Sequence, residues 1–382
     1  MMKKIKIIKS KEGNFFLKKR GIPIGCQHCL KGVKGVLFLN GLCQKPQHCN
    51  WYCPLSEKRR NKKISYINEI MISEKEDIIE ELDKTNAKGI SITGGEPLTK
   101  ENLPKTIEYI EYLKNQKGET FHIHLYTNGI SFSKEIAYKL AKAGLDEIRF
   151  HPPKEKWNCI SKALNLDMSV GVEVPIIPNI DYINDLQKLI LYLDDIGGEF
   201  INLNEFEYCF PNSKSLRQRG YELKEGSIAS VQDSEIYALK LIKKISSMTK
   251  NIKIHYCSIL AKDYYQLKNR YLQRAKNIKK EYEEITEEGL LLYGIIEGNE
   301  ESLRELLDIL INKYNISKNL IQNKRKSIEL PYYILIEDPL LREINKLALN
   351  AFILETLPFQ EEEYKQITEK TPIKLFKQEM NL

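Results

Sequence analysis

Short apolar runs alternate with amphipathic stretches along the first two thirds of the chain. The apolar runs have the length of buried strands and occupy residues 35–40, 88–95, 120–129, 146–153, 170–179, 199–206 and 251–258. The stretches between them place apolar residues at helical spacing, as Ile78, Ile79 and Leu82 do. This alternation predicts parallel βαβ units, and their number predicts an α/β fold with a partial, or nearly closed, parallel barrel.

The rhythm changes near residue 282. Beyond it, strand-like runs and helical stretches mix without regular alternation, which predicts a small C-terminal α+β appendage. We therefore expect three parts along the chain. They are an N-terminal segment at residues 1–34, the barrel at residues 35–281 and an accessory domain at residues 282–382.

Composition narrows the class of protein only slightly. The chain has 382 residues, of which 42% are hydrophobic, and this is enough for a sizeable core. It has no apolar run of membrane-spanning length and no signal-peptide pattern at its basic N-terminus, so we expect a cytoplasmic protein without a membrane partner.

A net charge of +7 permits an anionic partner such as RNA without requiring one. The basic residues cluster near residues 58–63, 268–280 and 324–326, where solvated surface is the ordinary explanation.

Five of the eight cysteines fall between residues 26 and 53. Disulfides add little to a cytosolic chain of this size, so clustered thiols indicate a metal or redox site. Cys43, Cys49 and Cys53 directly follow the first predicted barrel strand, and barrels of this type carry their chemistry at the C-terminal ends of strands. Three thiolates can hold three irons of a 4Fe–4S cluster and leave the fourth iron open, or they can hold zinc with a water. The cysteines alone favour neither metal.

The second predicted strand ends in Gly94, Gly95, Glu96 and Pro97. Two glycines let the backbone approach a ligand and present its carbonyls, and Glu96 adds a carboxylate. Carbonyls with a carboxylate suit an ammonium group, whereas a phosphate site would need N–H donors and Lys. This turn therefore argues against a non-catalytic zinc or iron–sulfur binding module, which would need no ammonium site.

With these two motifs, the chain resembles the radical S-adenosylmethionine superfamily over residues 34–206. The features that carry the resemblance are the cysteine triplet after strand one, the aromatic Tyr52 before its last cysteine, and the GGEP after strand two. Within the superfamily, the chain is similar to archaeal proteins related to pyruvate formate-lyase activating enzyme. The triplet departs from the common spacing, because its gaps are five and three residues rather than three and two. Loops of this length still let three thiolates converge.

The resemblance implies an enzyme with a 4Fe–4S cluster and S-adenosylmethionine as cofactors, working in anaerobic conditions. A one-electron donor of ferredoxin or flavodoxin type would reduce the cluster. The cofactor would then be cleaved to a 5′-deoxyadenosyl radical, which takes a hydrogen atom from an unidentified protein, peptide or small molecule. The implied cluster ligands are Cys43, Cys49 and Cys53, and the implied cofactor-binding residues are Tyr52, Gly94, Gly95, Glu96, Thr127 and Asn128. The alternative within the superfamily is an RNA-modifying enzyme that holds phosphates with the basic clusters.

Four further residues predict a possible second metal site. Cys26 and Cys29 form a C-x-x-C pair, which is half of many zinc or cluster sites. His255 and Cys257 lie at the end of the last predicted strand. If that strand approaches the first, the connector from Cys29 to Gly35, about 20 Å long when extended, lets the two pairs meet. A metal-free cysteine pair is the competing interpretation.

Overall fold

The chain forms two compact units. The structure, a computed structural model, describes residues 6–44, 47–361 and 363–381. One unit comprises Met1–Asp83 and Ala87–Leu267, and the other comprises Lys84–Asn86 and Lys268–Leu382. The predicted N-terminal segment lies within the first unit and the predicted accessory domain within the second. No helix in the described ranges is long and apolar enough to cross a membrane.

The first unit is built on a single sheet, with eleven strands in the part of the chain that the structure describes. The strands are β1 (Ile7–Lys9), β2 (Phe15–Leu17), β3 (Lys34–Phe38), β4 (Tyr66–Ile67), β5 (Ile70–Met71), β6 (Gly89–Thr93), β7 (His122–Thr127), β8 (Glu147–Phe150), β9 (Ser169–Ile176), β10 (Phe200–Glu205) and β11 (Lys253–Cys257). Their spatial order is β1-β2-β11-β10-β9-β8-β7-β6-β3-β4-β5.

The central run from β3 to β11 is parallel throughout and contains all seven predicted strands. This confirms the α/β class and the partial form of the barrel. The sheet does not close, because β11 pairs with β2 of the N-terminal hairpin and β3 pairs with β4, both antiparallel. No pattern in the sequence predicts that an N-terminal strand pairs with β11 at this edge of the sheet.

Most helices of this unit lie between the parallel strands in the chain and pack on one face of the sheet, whereas α1 lies on the other face. The helices are α1 (Ile24–Leu30), α2 (Glu76–Lys84), α3 (Leu103–Lys117), α4 (Lys134–Ala143), α5 (Ile180–Asp195), α6 (Ser213–Gln218) and α7 (Ser234–Ile245), with a 3-10 segment at Lys154–Ala163 and a π segment at Leu260–Gln266. Local capping fixes several ends: Ser133 accepts a hydrogen bond from the Ile136 N–H, and Gly144 ends α4 in the left-handed region at φ 96°.

The two faces of the parallel strands differ in chemistry. Successive strand residues point to opposite faces, and on β7 the residues Ile123 and Leu125 join the apolar core formed with the helices. The other face is polar and almost wholly buried. Its residues are His122, His124, Tyr126, Glu147, Arg149, Glu173, Asn202, Asn204, His255 and Cys257. We call this the inner face.

Arg149 compensates the acidic groups of the inner face. Its side chain is 2% exposed, its Nε lies 2.6 Å from Glu147 Oε1, and its Nη1 lies 2.5 Å from Glu173 Oε2. Burial alone would raise the pKa of Glu147, but Arg149, with His122 and Lys34, lowers it well below its ordinary value. Both carboxylates are therefore held ionised inside the unit.

Helix α1 lies directly against the inner face. The Gly25 N–H points at Glu147 Oε2, 3.3 Å away, and a Cβ at this position would overlap the His124 ring and lie 2.5 Å from Arg149 Nη2. Only glycine fits there, because the helix backbone approaches the charged side chains so closely. The C-x-x-C segment is thus packed into the sheet rather than free at the surface.

The second unit is α+β, as predicted. Its strands are β12 (Glu284–Ile285), β13 (Leu291–Glu297), β14 (Gln322–Lys324), β15 (Ser327–Leu330), β16 (Asn350–Thr356) and β17 (Ile367–Pro372), and its helices are α8 (Leu267–Ile278), α9 (Glu300–Asp308), α10 (Tyr332–Leu335), α11 (Asp338–Lys346) and α12 (Ile373–Glu379), with short segments at Ile309–Lys313 and Lys318–Leu320. The strands pair antiparallel in the order β14-β15-β13-β16-β17, with β12 beside β13.

Replacing Arg149 should destabilise the first unit. In Arg149→Met, Glu147 and Glu173 lose their common cation while still buried, so we expect the free energy of unfolding to fall by about 3–5 kcal/mol. Urea unfolding followed by tryptophan fluorescence measures this, because Trp51 and Trp157 both lie in that unit. Lys139→Ala is the matched control, since it breaks only an exposed ion pair. Equal effects of the two substitutions would contradict the assignment.

Candidate active site

Cys43, Cys49 and Cys53 lie in a loop at residues 41–62, the cysteine loop, whose two ends are joined by hydrogen bonds. The Gly41 N–H donates to the Lys62 carbonyl at 2.8 Å, and the Asn61 N–H donates to the Gly41 carbonyl at 3.0 Å. A Cβ on Gly41 would overlap the Arg59 carbonyl oxygen, so the chain returns to within backbone contact of its starting point. Residues 45 and 46, inside this loop, lie outside the described residues.

The GGEP turn docks on the start of that loop. The Gly95 N–H donates to the Asn40 carbonyl and the Glu96 N–H to the Leu42 carbonyl, both at 2.7 Å. Gly94 has φ 144°, with a Cβ position 2.5 Å from the Asn40 oxygen, and a Cβ on Gly95 would overlap Leu42. The two glycines are thus required by contact between strand ends, a nearer reason than the approach of a ligand.

Glu96 connects the end of β7 to the contact between the GGEP turn and the cysteine loop. Its Oε1 accepts hydrogen bonds from Thr127 Oγ1 at 2.8 Å and from the Leu98 N–H at 3.0 Å, and its Oε2 accepts from the Asn128 N–H at 2.7 Å. Burial raises the pKa of Glu96 to about 7, against the opposing effect of these hydrogen bonds. The structure therefore brings together Glu96, Thr127 and Asn128, as the resemblance implied.

The three thiols of the loop are half-buried and close enough to influence one another. Burial raises the pKa of Cys43, with further contributions from Glu96 and Cys53, and it raises that of Cys49 to about 12, with contributions from Cys53 and Cys43. Arg60 opposes this at Cys49 and lies within reach of the Cys53 carbonyl. Three adjacent thiolates therefore need a cationic centre, and soft thiolate donors fit the irons of a cluster.

Within the described residues, His, Cys, Asp and Glu side chains form no ready-made group of three or more that could hold a metal ion. This applies to the triplet as well as to Cys26, Cys29, His255 and Cys257. The ligand roles of both sets therefore stay predictions.

Tyr52 is fixed in an aromatic cluster. Its ring centroid lies 4.8 Å from that of Trp51, 5.9 Å from Phe206 and 6.0 Å from His151, and its Oη hydrogen-bonds to His151 Nε2 at 2.9 Å. The Tyr52 carbonyl accepts a further hydrogen bond from Asn212 Nδ2 at 3.0 Å. Its ring is thus held at the tops of β8 and β10, beside a cavity of about 310 Å³. The cavity is lined by side chains that include His48, Tyr52, His151, Trp157, Val174 and Tyr182.

Sequence reasoning missed two features of this region. Asn40 and Asn102 form a buried amide pair, in which Asn102 Nδ2 also donates to the Glu96 carbonyl at 2.8 Å. In the sequence, the only indication of this pair is that Asn40 lies at the end of the first predicted strand. Cys209 lies near the triplet: burial raises its pKa to about 11, and Glu207 and Cys53 add to the shift.

Comparison with known proteins identifies the family. A family model described as the Radical SAM superfamily matches residues 44–152. A Methanocaldococcus jannaschii protein named "Putative glycyl-radical enzyme activating enzyme" is 40% identical over 352 residues, covering 88% of this chain and 90% of that protein. This chain belongs to the radical SAM superfamily.

Other likenesses of this radical SAM protein are either short in sequence or low in structural similarity. The GTP 3′,8-cyclase of Corynebacterium glutamicum (strain R) is 43% identical over 65 residues, which is 17% of either chain. Among solved structures, Escherichia coli coproporphyrinogen III oxidase covers 87% of this chain and 94% of its own at 9% identity, with a TM-score of 0.35. A score at that level carries no structural argument.

Membership of the superfamily confirms that the protein is an enzyme. A 4Fe–4S cluster and S-adenosylmethionine are the cofactors of radical SAM catalysis. That they bind at the cysteine and GGEP motifs stays a prediction. A non-catalytic zinc or iron–sulfur module is thereby set aside. The substrate is unidentified.

Gly95→Ala should impair cluster assembly even though residue 95 is not a predicted ligand of the cluster. The added Cβ pushes the GGEP turn away from Leu42 and so displaces the start of the cysteine loop. After anaerobic reconstitution, we expect iron per chain and visible absorption to fall several-fold. Gly118→Ala is the control, because nothing lies within 4 Å of its Cβ position, although its positive φ of 86° strains an alanine there. Full cluster content in Gly95→Ala would show that the contact is dispensable.

Proposed function

We propose that Cys43, Cys49 and Cys53 hold the 4Fe–4S cluster and that the GGEP turn binds S-adenosylmethionine beside it. The proposal is supported by the hydrogen bonds that join the turn to the start of the cysteine loop. Because Gly95 and Glu96 are bonded to Asn40 and Leu42, a ligand bound at the turn lies next to the thiols. When bound there, the cluster and the cofactor would together supply a 5′-deoxyadenosyl radical for abstraction of a hydrogen atom from the substrate.

The chain's own residues position the cofactor and exclude water. An ionised Glu96 attracts the amino group of the cofactor, and Thr127 and the Asn128 N–H hold that carboxylate in place. The aromatic cluster around Tyr52 supplies a dry, rigid wall and a ring against which the adenine stacks. Fixing the target hydrogen close to the radical, away from water, is the main task of the site.

We propose a protein or peptide as the substrate, with hydrogen abstraction from a glycine Cα. The single observation that carries this is the 40% identity over 88% of the chain to the Methanocaldococcus jannaschii protein, whose name refers to activation of a glycyl-radical enzyme. A ferredoxin or flavodoxin type protein would deliver the electron, and the enzyme would act in an anaerobic cytoplasm.

The alternative function, RNA modification, is only weakly supported, because basic residues of the first unit are engaged in contacts within the protein. In the cluster at residues 58–63, Arg59 pairs with Glu69 and lies over the Tyr66 ring, 4.2 Å from its centroid. Arg60 bonds to Asn50 Oδ1 at 2.9 Å and approaches the Leu55 carbonyl at 3.3 Å. These guanidinium groups hold the cysteine loop together, which leaves them less able to neutralise phosphates.

The triplet should be necessary for both cluster and activity. Replacing Cys43, Cys49 and Cys53 with Ala should abolish the iron-dependent absorption and the formation of 5′-deoxyadenosine from S-adenosylmethionine under reducing, anaerobic conditions. Chromatography of the products and iron analysis measure the two effects. Cys159→Ala, a buried thiol elsewhere in the core, should keep both properties. Survival of the cluster without the triplet would overturn the assignment, and methylthioadenosine as the only product would indicate different chemistry.

Cofactor binding should depend on the ionisation of Glu96. Its pKa of about 7 means that lowering the pH from about 8 to about 6 neutralises most of the carboxylate, so the Kd for S-adenosylmethionine should rise several-fold. In Glu96→Gln the Kd should be high and nearly independent of pH, whereas the exposed Glu135→Gln should follow the wild type. Anaerobic equilibrium dialysis, with iron measured at each pH, tests this. An unchanged pH dependence in Glu96→Gln would assign the titration to another group.

A further inference from the structure

The chain after β10 is bonded to the cysteine loop. Asn212, which is 3% exposed, donates from Nδ2 to the Tyr52 carbonyl at 3.0 Å, and its Oδ1 accepts from the Cys209 N–H at 2.9 Å. Tyr221 adds a second contact, because its ring stacks on that of Trp51 with the centroids 6.0 Å apart. Both contacts reach the two residues that precede the last cysteine of the loop, so this part of the chain lies directly beside it.

The cysteine loop and residues 209–221, which we call the rim segment, are both strongly basic. The cysteine loop contains five Lys or Arg and one Glu, and the rim segment contains three Lys or Arg and no Asp or Glu. Their combined net charge of +7 equals that of the entire chain. The rest of the chain is neutral in sum, so the excess positive charge of the protein lies around the thiols.

Most of these cations are not neutralised within the protein. Among the described residues of the two segments, Arg59 forms an ion pair, with Glu69, and the other basic side chains form none. The exposed ones are Lys58, Lys62, Lys214, Arg217 and Arg219. Unpaired charges at the surface attract an anionic partner and increase its rate of encounter.

The same surface exposes apolar side chains. Phe210 is 94% exposed and Ile228 is 80% exposed. The Tyr208 N–H donates to the Ala229 carbonyl at 2.7 Å, so both side chains lie within two residues of one backbone contact. Apolar anchors among polar and charged residues are the usual anatomy of a protein–protein interface. An acidic protein fits this surface better than RNA, because an aliphatic side chain such as Ile228 offers no ring on which a base can stack.

We propose that the cysteine loop and the rim segment form the docking surface for an acidic one-electron carrier protein. The proposal rests on the function proposed above, in which Cys43, Cys49 and Cys53 hold the cluster. The reduced carrier loses one electron and the cluster gains it, and no covalent bond forms or breaks in this step. Electron transfer slows steeply with distance, and a carrier on this surface contacts the segment that is hydrogen-bonded to Tyr52, next to Cys53.

The composition of the surface also suits repeated transfer. A carrier that delivers one electron has to leave before the next one docks, so its interface is small and transient. Long-range attraction by unpaired cations gives fast association, and few apolar anchors such as Phe210 keep the complex short-lived.

Charge reversal on α6 tests the docking surface. The probe is an acidic flavodoxin in its hydroquinone form, mixed anaerobically with the reconstituted protein in a stopped-flow spectrometer, where the flavin semiquinone absorption reports the electron that leaves. In Lys214→Glu/Arg217→Glu, the second-order rate constant should fall at least about tenfold at low salt. The difference from the wild type should largely disappear at about 0.5 M NaCl, where charges are screened. Dithionite, a small reductant that needs no protein interface, should reduce the clusters of both proteins at similar rates.

Two further variants separate the docking surface from a general effect of charge. Lys243→Glu/Lys244→Glu makes the same change of charge on exposed residues of α7 and should keep a rate close to that of the wild type. Phe210→Ala should lower the rate several-fold at both salt concentrations, because salt does not screen an apolar contact. Tryptophan fluorescence verifies the folding of each variant.

Equal rates of semiquinone formation in Lys214→Glu/Arg217→Glu and in the α7 control would overturn the proposal. Binding of tRNA to the same variants is the other arm: a loss of tRNA affinity on reversal at α6, with flavodoxin oxidation unchanged, would assign the surface to RNA and overturn it equally. Iron analysis precedes each assay. A wild-type protein without a cluster would contradict the proposed function, and calorimetric binding of flavodoxin to the wild type and to the two charge-reversal variants would still decide the docking surface.

Discussion

The interior of the first unit depends on one buried guanidinium. Arg149 neutralises Glu147 on its own strand and Glu173 on the neighbouring strand, and both carboxylates are themselves shielded from water. Without that cation, burying two negative charges side by side would cost several kcal/mol for each ion. The same group touches Cys26 of α1, and its partner Glu173 also accepts a hydrogen bond from Asn204 Nδ2. Charge pairing and the contact between α1 and the inner face therefore both depend on a single residue.

This arrangement explains why the parallel strands have one apolar and one polar face. The apolar face packs on helices and supplies the core, whereas the polar face satisfies its groups largely among themselves. A lumen filled in this way differs from barrels that are packed with branched aliphatic residues, because its side chains are held by directional hydrogen bonds and ion pairs. The proposed chemistry lies at the strand ends, where Asn40, Leu42 and Glu96 join the cysteine loop to the GGEP turn.

Most of the fold could be predicted because its signals are local. All seven parallel strands, and the helices at Leu103–Lys117, Lys134–Ala143 and Ile180–Asp195, follow from apolar periodicity and from caps such as Gly144. The short hairpin of β1 and β2 could not be placed, because its partner β11 lies more than two hundred residues away and strands of three residues have almost no periodic signal.

The candidate site could be predicted only in part, because some of its contacts form only in the folded sheet. The meeting of Glu96 with Thr127 and Asn128 followed from the motifs and their resemblance to a known superfamily, and the ligand roles of Cys43, Cys49 and Cys53 stay predictions. The pairing of Asn40 with Asn102, and the approach of α1 to Arg149, did not, because each depends on groups brought together only by the folded sheet. Gly94 and Gly95 were recognised, but for a different reason: the oxygens they approach belong to Asn40 and Leu42.

The pairing of β2 with β11 also has a consequence for the order in which the molecule can form. Residues near position 16 leave the ribosome early, yet their partners near position 255 are synthesised last among the strands of this sheet. Contacts of such long sequence separation close slowly, because the loop entropy is lost before the pairing repays it. Until Lys253–Cys257 emerges, β10 is an unpaired edge and the hairpin has nothing to cover, so the nascent first unit exposes a strand edge for most of its synthesis.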